Sequence, residues 1–279
     1  MSYLCPIDNT KYETNVTECK VCGFTDELGI DRIWPLKEDA YRWMAEEVFP
    51  YARRYWGGRL EEANREIERL KGDAKPDLTL AKIGDKIEFG RMDWLVLDRQ
   101  GSKMLILSEN IIEKRAYNEK KDKITWADCT LREYLNKYFY YNFSQQDRAR
   151  VAEAEITTHD NPWYGIKGGN TVNDRVFLLS IEEAVRYFGD SGDLKNRKGW
   201  HYENKQYVLK DEKGQSINDQ YNVVRKAKYA NGTGSYWWLR SPGIDGLNAA
   251  FVNGNGSLAV SGLSVDSVAG VRPALWLNL

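Results

Sequence analysis

Three of the four cysteines crowd into the first 22 residues as Cys5, Cys19 and Cys22, and Cys129 stands alone. Cys19-Lys20-Val21-Cys22-Gly23 is a C-x-x-C knuckle followed by glycine, a turn tight enough to aim two thiolates at one tetrahedral ion. The opposing turn reads Cys5-Pro6-Ile7-Asp8, with a carboxylate where a second thiol pair would be completed. Cys5, Cys19 and Cys22, with Asp8 or a water as fourth ligand, are expected to hold one structural zinc, more weakly than four thiolates would. A disulfide scaffold would spread its cysteines along the chain, whereas clustering points to metal. Residues 1–30 are too few to support a core of their own, and modules of that size generally need a staple. The alternative is a ribbon that packs without metal.

Catalytic chemistry is sparse elsewhere. The two histidines, His159 and His201, have no H-E-x-x-H or comparable metal spacing. There is no G-x-S-x-G, no phosphate-binding loop and no dinucleotide fingerprint. Gly254-Asn255-Gly256 lacks the downstream glycine and helix that a phosphate cradle needs. Cys129 has no nearby histidine and reads as a small core residue on a helix. A non-catalytic protein is expected. Lys+Arg is 40 against Asp+Glu 41, a net charge of -1, which argues against broad nucleic-acid binding through a basic field. No apolar run approaches the roughly 18 residues of a membrane span. Residues 1–10 carry neither a basic n-region nor an apolar h-region, so a cytoplasmic location is expected.

The elements that position these residues fall into three parts. Residues 1–30 are the zinc-ribbon-like module. Residues 31–76 read as a helical hairpin and linker. Leu36, Ala40, Trp43, Met44 and Val48 keep a helical period up to Pro50. Leu60, Ala63, Ile67 and Leu70 repeat it after a break at Gly57-Gly58. This hairpin docks on a neighbour or offers a surface for self-association over 31–72. Residues 77–279 form the main domain. Two strands are expected over 83–97, meeting at Gly90, and a buried strand over 104–107. An amphipathic helix over 126–139 has Thr125 or Asp128 as its cap. A strand over 176–179 precedes the capping box Ser180-x-x-Glu183, which opens a helix to Phe188. From Ser235 onward, short apolar runs alternate with Gly, Asn and Ser and read as hairpins. Helices first and hairpins later make the domain α+β.

Two segments are more specific. They are Tyr236-Trp237-Trp238-Leu239-Arg240-Ser241-Pro242-Gly243 and Gly270-Val271-Arg272-Pro273-Ala274-Leu275. Together they resemble a bacterial and phage domain family with a C-type-lectin-like fold, related to formylglycine-generating enzymes. Ile87-Glu88-Phe89-Gly90 with Trp94, Leu105-Ile106-Leu107-Ser108-Glu109, Trp126 with Leu131-Arg132, and Val176-Phe177-Leu178-Leu179-Ser180 fit the same family, so the resemblance covers nearly all of 78–279. Many such proteins look like the variable proteins of diversity-generating retroelements, in which adenines of the target gene are mutated. AAC codons then become NNC, which never encodes Lys, Glu, Gln, Met or Trp. Those five types make up 62 of the 279 residues, yet none occurs in the 37 positions from 239 to 275. Random placement would give that about once in ten thousand chains, a figure that a Gly/Ser/Asn-rich hairpin segment weakens.

Within the variable region, about 236–275, two kinds of position separate. Asn248, Ala249, Ala250, Val252, Gly256, Ser257, Gly262, Val265 and Gly270 match the family frame. Between them stand Ile244, Asp245, Gly246, Leu247, Phe251, Asn253, Asn255, Ala259, Ser261, Leu263, Ser264, Asp266, Ser267 and Val268, which share no chemistry. Apolar anchors mixed with Ser, Asn and Gly suit a paratope better than a solubilising surface. The resemblance thus implies a non-catalytic ligand-binding protein whose C-terminal surface is diversified, with a protein as ligand. The alternatives are an undiversified lectin-like interaction module, a calcium-dependent sugar lectin, or a formylglycine-generating-like oxidase. The lectin lacks Glu-Pro-Asn, and Val172-Asn173-Asp174 only faintly echoes its calcium ligands. The oxidase implies a copper site on two cysteines in the C-terminal half, and no cysteine follows Cys129.

Overall fold

A computed structural model describes residues 77–210 and 213–279, and of the first 76 residues only 3–5, 10–12, 18–21, 57, 59 and 61. The chain divides into two compact units, Met1–Pro76 and Asp77–Leu279. In the first, Tyr3–Leu4 pairs antiparallel with Lys11–Tyr12, and the Cys5 N–H closes the intervening turn on the Thr10 carbonyl at 2.9 Å. The hairpin expected over 31–72 lies outside the described residues apart from Gly57, Arg59 and Glu61. All three are helical, including Gly57, where a break was expected.

The second unit is a mixed α+β structure, mostly sheet with a few short helices. In chain order its main strands are β1 (Lys86–Phe89), β2 (Met92–Gln100), β3 (Lys103–Ser108), β4 (Glu113–Ala116), β5 (Val151–Ala152), β6 (Ser216–Ile217), β7 (Trp237–Pro242), β8 (Asn248–Val252), β9 (Leu258–Ser264), β10 (Val268–Val271) and β11 (Ala274–Asn278). The helices are α1 (Thr130–Tyr134), α2 (Gln145–Arg150), α3 (Ile181–Phe188), α4 (Asp193–Asn196) and α5 (Asn222–Arg225). One sheet runs β1-β2-β3-β11-β5 and the other β6-β9-β8-β7-β10-β4. A single core, with Trp94, Trp126, Trp237 and Trp238 fully buried, joins them.

Local chemistry explains most of this. Gly90 and Arg91 both take positive φ, 59° and 64°, which is the two-residue turn that matches the twist of β1 and β2. A side chain at Gly90 would also meet the Phe143 ring at 2.3 Å. α3 begins in a complete capping box: the Glu183 N–H donates to Ser180 Oγ at 3.1 Å, and the Ser180 N–H to Glu183 Oε2 at 2.9 Å.

Two expected elements differ. The helix over 126–139 is broken into a 3₁₀ turn at Trp126–Asp128, α1, and a π turn at Leu135–Phe139. Cys129 has extended backbone between the first two, and its Sγ accepts the Arg132 N–H at 3.4 Å, so a cysteine caps α1. Residues 176–179 are buried but form no strand. Phe177 makes only an isolated bridge to Ala274. Pro273 stands where the chain leaves β10 in one sheet and enters β11 in the other. A residue without an N–H suits that break between ladders.

Candidate functional site

The frame of the C-terminal segment is held from below by its aromatic and cationic residues. On β7, the Trp237 indole N–H donates to the Arg225 carbonyl at 3.1 Å, and that of Trp238 to the Arg115 carbonyl at 2.9 Å. Arg240 is buried and forks onto Glu183, with Nη2 at 2.8 Å from Oε1 and Nη1 on Oε2. Nη1 also donates to the Leu178 carbonyl at 2.7 Å. Glu183 thus closes the α3 cap and neutralises Arg240 at once. Alongside, the Arg240 N–H donates to the Leu179 carbonyl and the Ile181 N–H to Ser241 Oγ, seating the start of α3 against β7.

Asn161, which the sequence did not single out, is a second support. It is buried, and its Nδ2 donates to the carbonyls of Pro242 and Val260 at 2.7 and 2.9 Å. Its Oδ1 accepts the N–H groups of Trp163 and Tyr164. Such a fully used amide ties the ends of β7 and β9 to a distant loop.

Above this frame the chain folds through β8 and β9. Of the frame positions, Ala249, Ala250, Val252, Gly256, Ser257, Val265 and Gly270 are buried, and Asn248 and Gly262 half-buried. Gly262 has φ 82°, and a side chain there would meet the Ala249 carbonyl at 2.6 Å, where the β8–β9 register shifts. Ile244, Asp245, Asn255, Asp266 and Val268 are exposed. Gly246, Leu247, Phe251, Asn253, Ser261, Leu263, Ser264 and Ser267 are half-buried. Ala259 departs from the expected surface: it is buried in β9 between Ser216 of β6 and Phe251 of β8. Nothing in the residue pattern marks β6 as its neighbour.

The surface positions do not form one cluster. At the open end of the β8–β9 hairpin, the Ile244 N–H reaches the Ser261 carbonyl at 2.7 Å and the Val265 N–H the Leu247 carbonyl at 2.9 Å. Asp245 Oδ1 accepts the Leu247 N–H and the Asn248 amide, fixing the turn. Ser264 Oγ donates to Asp266 Oδ1. Tyr236, the first residue of the Tyr236–Gly243 motif, links two further members. Its ring meets Phe251 edge-on at 5.9 Å, and its hydroxyl donates to the Val268 carbonyl. Asn253 and Asn255 lie at the closed end of the hairpin instead. There Asn253 Nδ2 and Ser257 Oγ are hydrogen-bonded to the hydroxyl of Tyr207 at 2.9 and 2.7 Å. Phe251 and Leu263 also pack against the core and are not fully free tips.

In the N-terminal unit, Cys5 and Cys19 are buried, while Asp8 and Cys22 lie outside the described residues. Among the described residues there is no group of three or more His, Cys, Asp or Glu side chains placed to hold a metal. Burial pushes the Cys129 thiol up to about 12, which leaves it protonated at neutral pH. Among the described residues no helix is long and apolar enough to cross a membrane.

These features define a two-sheet α+β domain that presents a half-apolar, loop-built surface on a rigid frame. Residues 101–279 match the model of a family described as a domain of unknown function (DUF6273), and the chain belongs to that family. No curated protein and no solved structure matches the chain. The match starts at Gly101, in the turn after β2, so β1 and β2 both precede it although they complete one sheet.

Proposed function

We propose that the unit from residue 77 onward is a non-catalytic, C-type-lectin-like ligand-binding domain whose C-terminal surface is diversified by a retroelement. Its ligand is a protein. The binding surface centres on the open end of the β8–β9 hairpin, with Ile244, Leu247 and Leu263 as apolar anchors, and extends to Phe251 and Val268, which Tyr236 joins to each other. Asp245, Ser261, Ser264 and Asp266 supply adaptable polar contacts around them. The observation that carries this reading is the coincidence of two independent patterns. The segment 239–275 lacks every residue type that NNC codons cannot encode, and within it every position without shared chemistry except Ala259 is exposed or half-buried, while most frame residues are buried. Sequencing the DNA flanking the gene tests it. A reverse transcriptase gene and a template repeat matching this segment, differing at adenines, are expected. Flanking DNA with neither would reduce the reading to a fixed interaction module.

The N-terminal unit is a zinc-ribbon-like module that holds one zinc through Cys5, Cys19, Cys22 and Asp8. Its support is the intact knuckle in the sequence, the burial of Cys5 and Cys19, and the turn that Cys5 closes on Thr10. When bound, the metal would supply the staple that so short a segment needs.

A further inference from the structure

A groove of about 530 Å³ lies where α5 and the end of α3 meet the first sheet, and it shares no residue with the diversified surface. Its charge is one-sided. Lys86, Lys226, Lys228 and Arg272 line it against a single carboxylate, Glu109. Lys86 already holds that carboxylate at 2.7 Å. Lys226 and Lys228 are exposed.

Arg272 sets this groove apart. It is only 3% exposed, yet among the described residues no carboxylate pairs with it. Arg240, the other arginine of the C-terminal frame, is buried to the same degree and has Glu183. Arg272 donates from Nε to the Ser108 carbonyl at 2.8 Å and from Nη2 to the Glu109 carbonyl at 3.3 Å. Its Nη1 has no partner. Its guanidinium lies over the rings of Trp237 and Phe188, at 5.1 and 5.6 Å. Burial pulls its ionisation down to about 10, still well above neutral pH, so the charge persists. The Glu109 carboxylate is near enough to favour the charge but forms no ion pair with Arg272, so burial is only partly offset, and an anionic ligand would offset more of it.

Apart from Asn110 and Tyr187, the rest of the lining is apolar. Val223 and Val224, adjacent on α5, are 67% and 51% exposed, and both face this groove together with Phe188 and Leu95. Two neighbouring valines left in solvent beside three cations make an amphipathic surface.

We propose that this groove binds an organic carboxylate with an apolar body. The carboxylate meets the positive field of Lys226, Lys228 and Arg272, and the body lies on Val223 and Val224. A free acid and the C-terminus of an apolar peptide share this chemistry.

Titration of the full chain with N-acetyl-leucine and with N-acetyl-leucinamide, followed by amide chemical shifts, separates charge from shape. The acid is expected to bind about tenfold more tightly than the amide, the worth of one charge-assisted contact. Its shifts should centre on α5 and residues 226–228. The double variant Lys226→Gln/Lys228→Gln, which alters exposed side chains only, should weaken the acid about tenfold and leave the amide unchanged. Val223→Ser should weaken both. A heptapeptide ending in Leu, with free or amidated terminus, separates the two sources. Tighter binding of the free-terminus peptide than of N-acetyl-leucine assigns a chain terminus, and the reverse order assigns a free acid. Equal binding of acid and amide, acid binding unaffected by the lysine variant, or no binding of either acid at millimolar concentration overturns the proposal.

Discussion

The clearest quantitative consequence of the frame-and-surface arrangement is a graded response to alanine. Trp238 has no exposed surface, donates its indole N–H to the Arg115 carbonyl, and meets Tyr117 and Phe251 edge-on at 5.7 and 6.3 Å. A buried indole removes on the order of 200 Å² from water, worth about 5 kcal/mol at ~25 cal/mol per Å². Partial collapse of the hole offsets some of this, and the abandoned carbonyl adds about 1 kcal/mol. Trp238→Ala is therefore expected to cost about 4 kcal/mol, near the middle of what Trp truncations cost. For a domain of this size that lowers Tm by roughly 8–16 °C. Phe251 and Leu263 are half-buried against the core, so Phe251→Ala and Leu263→Ala should cost about 1–2 kcal/mol each. Ile244 and Val268 are 42% and 52% exposed, and their alanine variants should stay within about 0.5 kcal/mol of the parent. Urea unfolding of the five variants, monitored by Trp fluorescence and by circular dichroism, gives the ranking. If Ile244→Ala and Val268→Ala lose as much as Trp238→Ala, or if Trp238→Ala loses under about 1 kcal/mol, the division into frame and surface is wrong.

Three other outcomes are expected. Asp219 and Arg225 form a buried pair at 2.8 Å, and Asp219→Asn, which leaves the arginine charge uncompensated, should cost about 3–5 kcal/mol in denaturant unfolding. Burial opposes ionisation of Asp219, but hydrogen bonds from Arg225 and Ser191 outweigh it and hold the carboxyl below its usual value. Its stabilisation is therefore complete above about pH 4, the unfolded-state value, and fades as pH falls through the lower folded value. The parent should lose stability over that acidic window and Asp219→Asn should lose less; parallel acid profiles would contradict the assignment. Elemental analysis of protein purified without chelator should give about one zinc per chain, dropping in Cys19→Ser; a metal-free parent with an ordered N-terminus would sink the zinc reading. Cys129, buried and with its thiol pushed up to about 12, should resist iodoacetamide in the native protein at pH 8 and react in urea, as peptide mapping would show.

What could be read in the sequence was local. The Gly90 turn and the Ser180 capping box depend on a few neighbouring residues, so spacing alone located them. The frame positions of 244–270 rest on the family resemblance rather than on strand alternation, since Asn248, Ala249 and Ala250 are consecutive. What escaped depends on residues far along the chain. Helical periodicity over 126–139 is genuine, yet Cys129 is extended because its sulfur caps the next helix, and the Asp174 carboxylate pins Trp126 and Arg132 on either side of it. Residues 176–179 are as apolar as a strand, but they serve as a carbonyl-lined bed for Arg240 and the start of α3. Ala259 looks like a surface position until β6, more than forty residues earlier, is laid against it. Asn161 and Tyr207 carry no motif, and only their long-range hydrogen bonds give them a role.

The place of β11 bears on how this protein is made. It lies inside its sheet between β3 and β5, yet in sequence it follows the whole segment 239–275 apart from the two residues they share. The nascent chain cannot close that sheet until the segment has left the ribosome, because the middle strand is still missing. A stop codon or frameshift anywhere in the segment would remove the strand that pairs with both neighbours, leaving two edges and an open core. Truncated products should then be recognised as unfolded and degraded, whereas single-residue exchanges at the tips leave β11 intact. The order of the strands would thus act as a length check on any altered version of this surface.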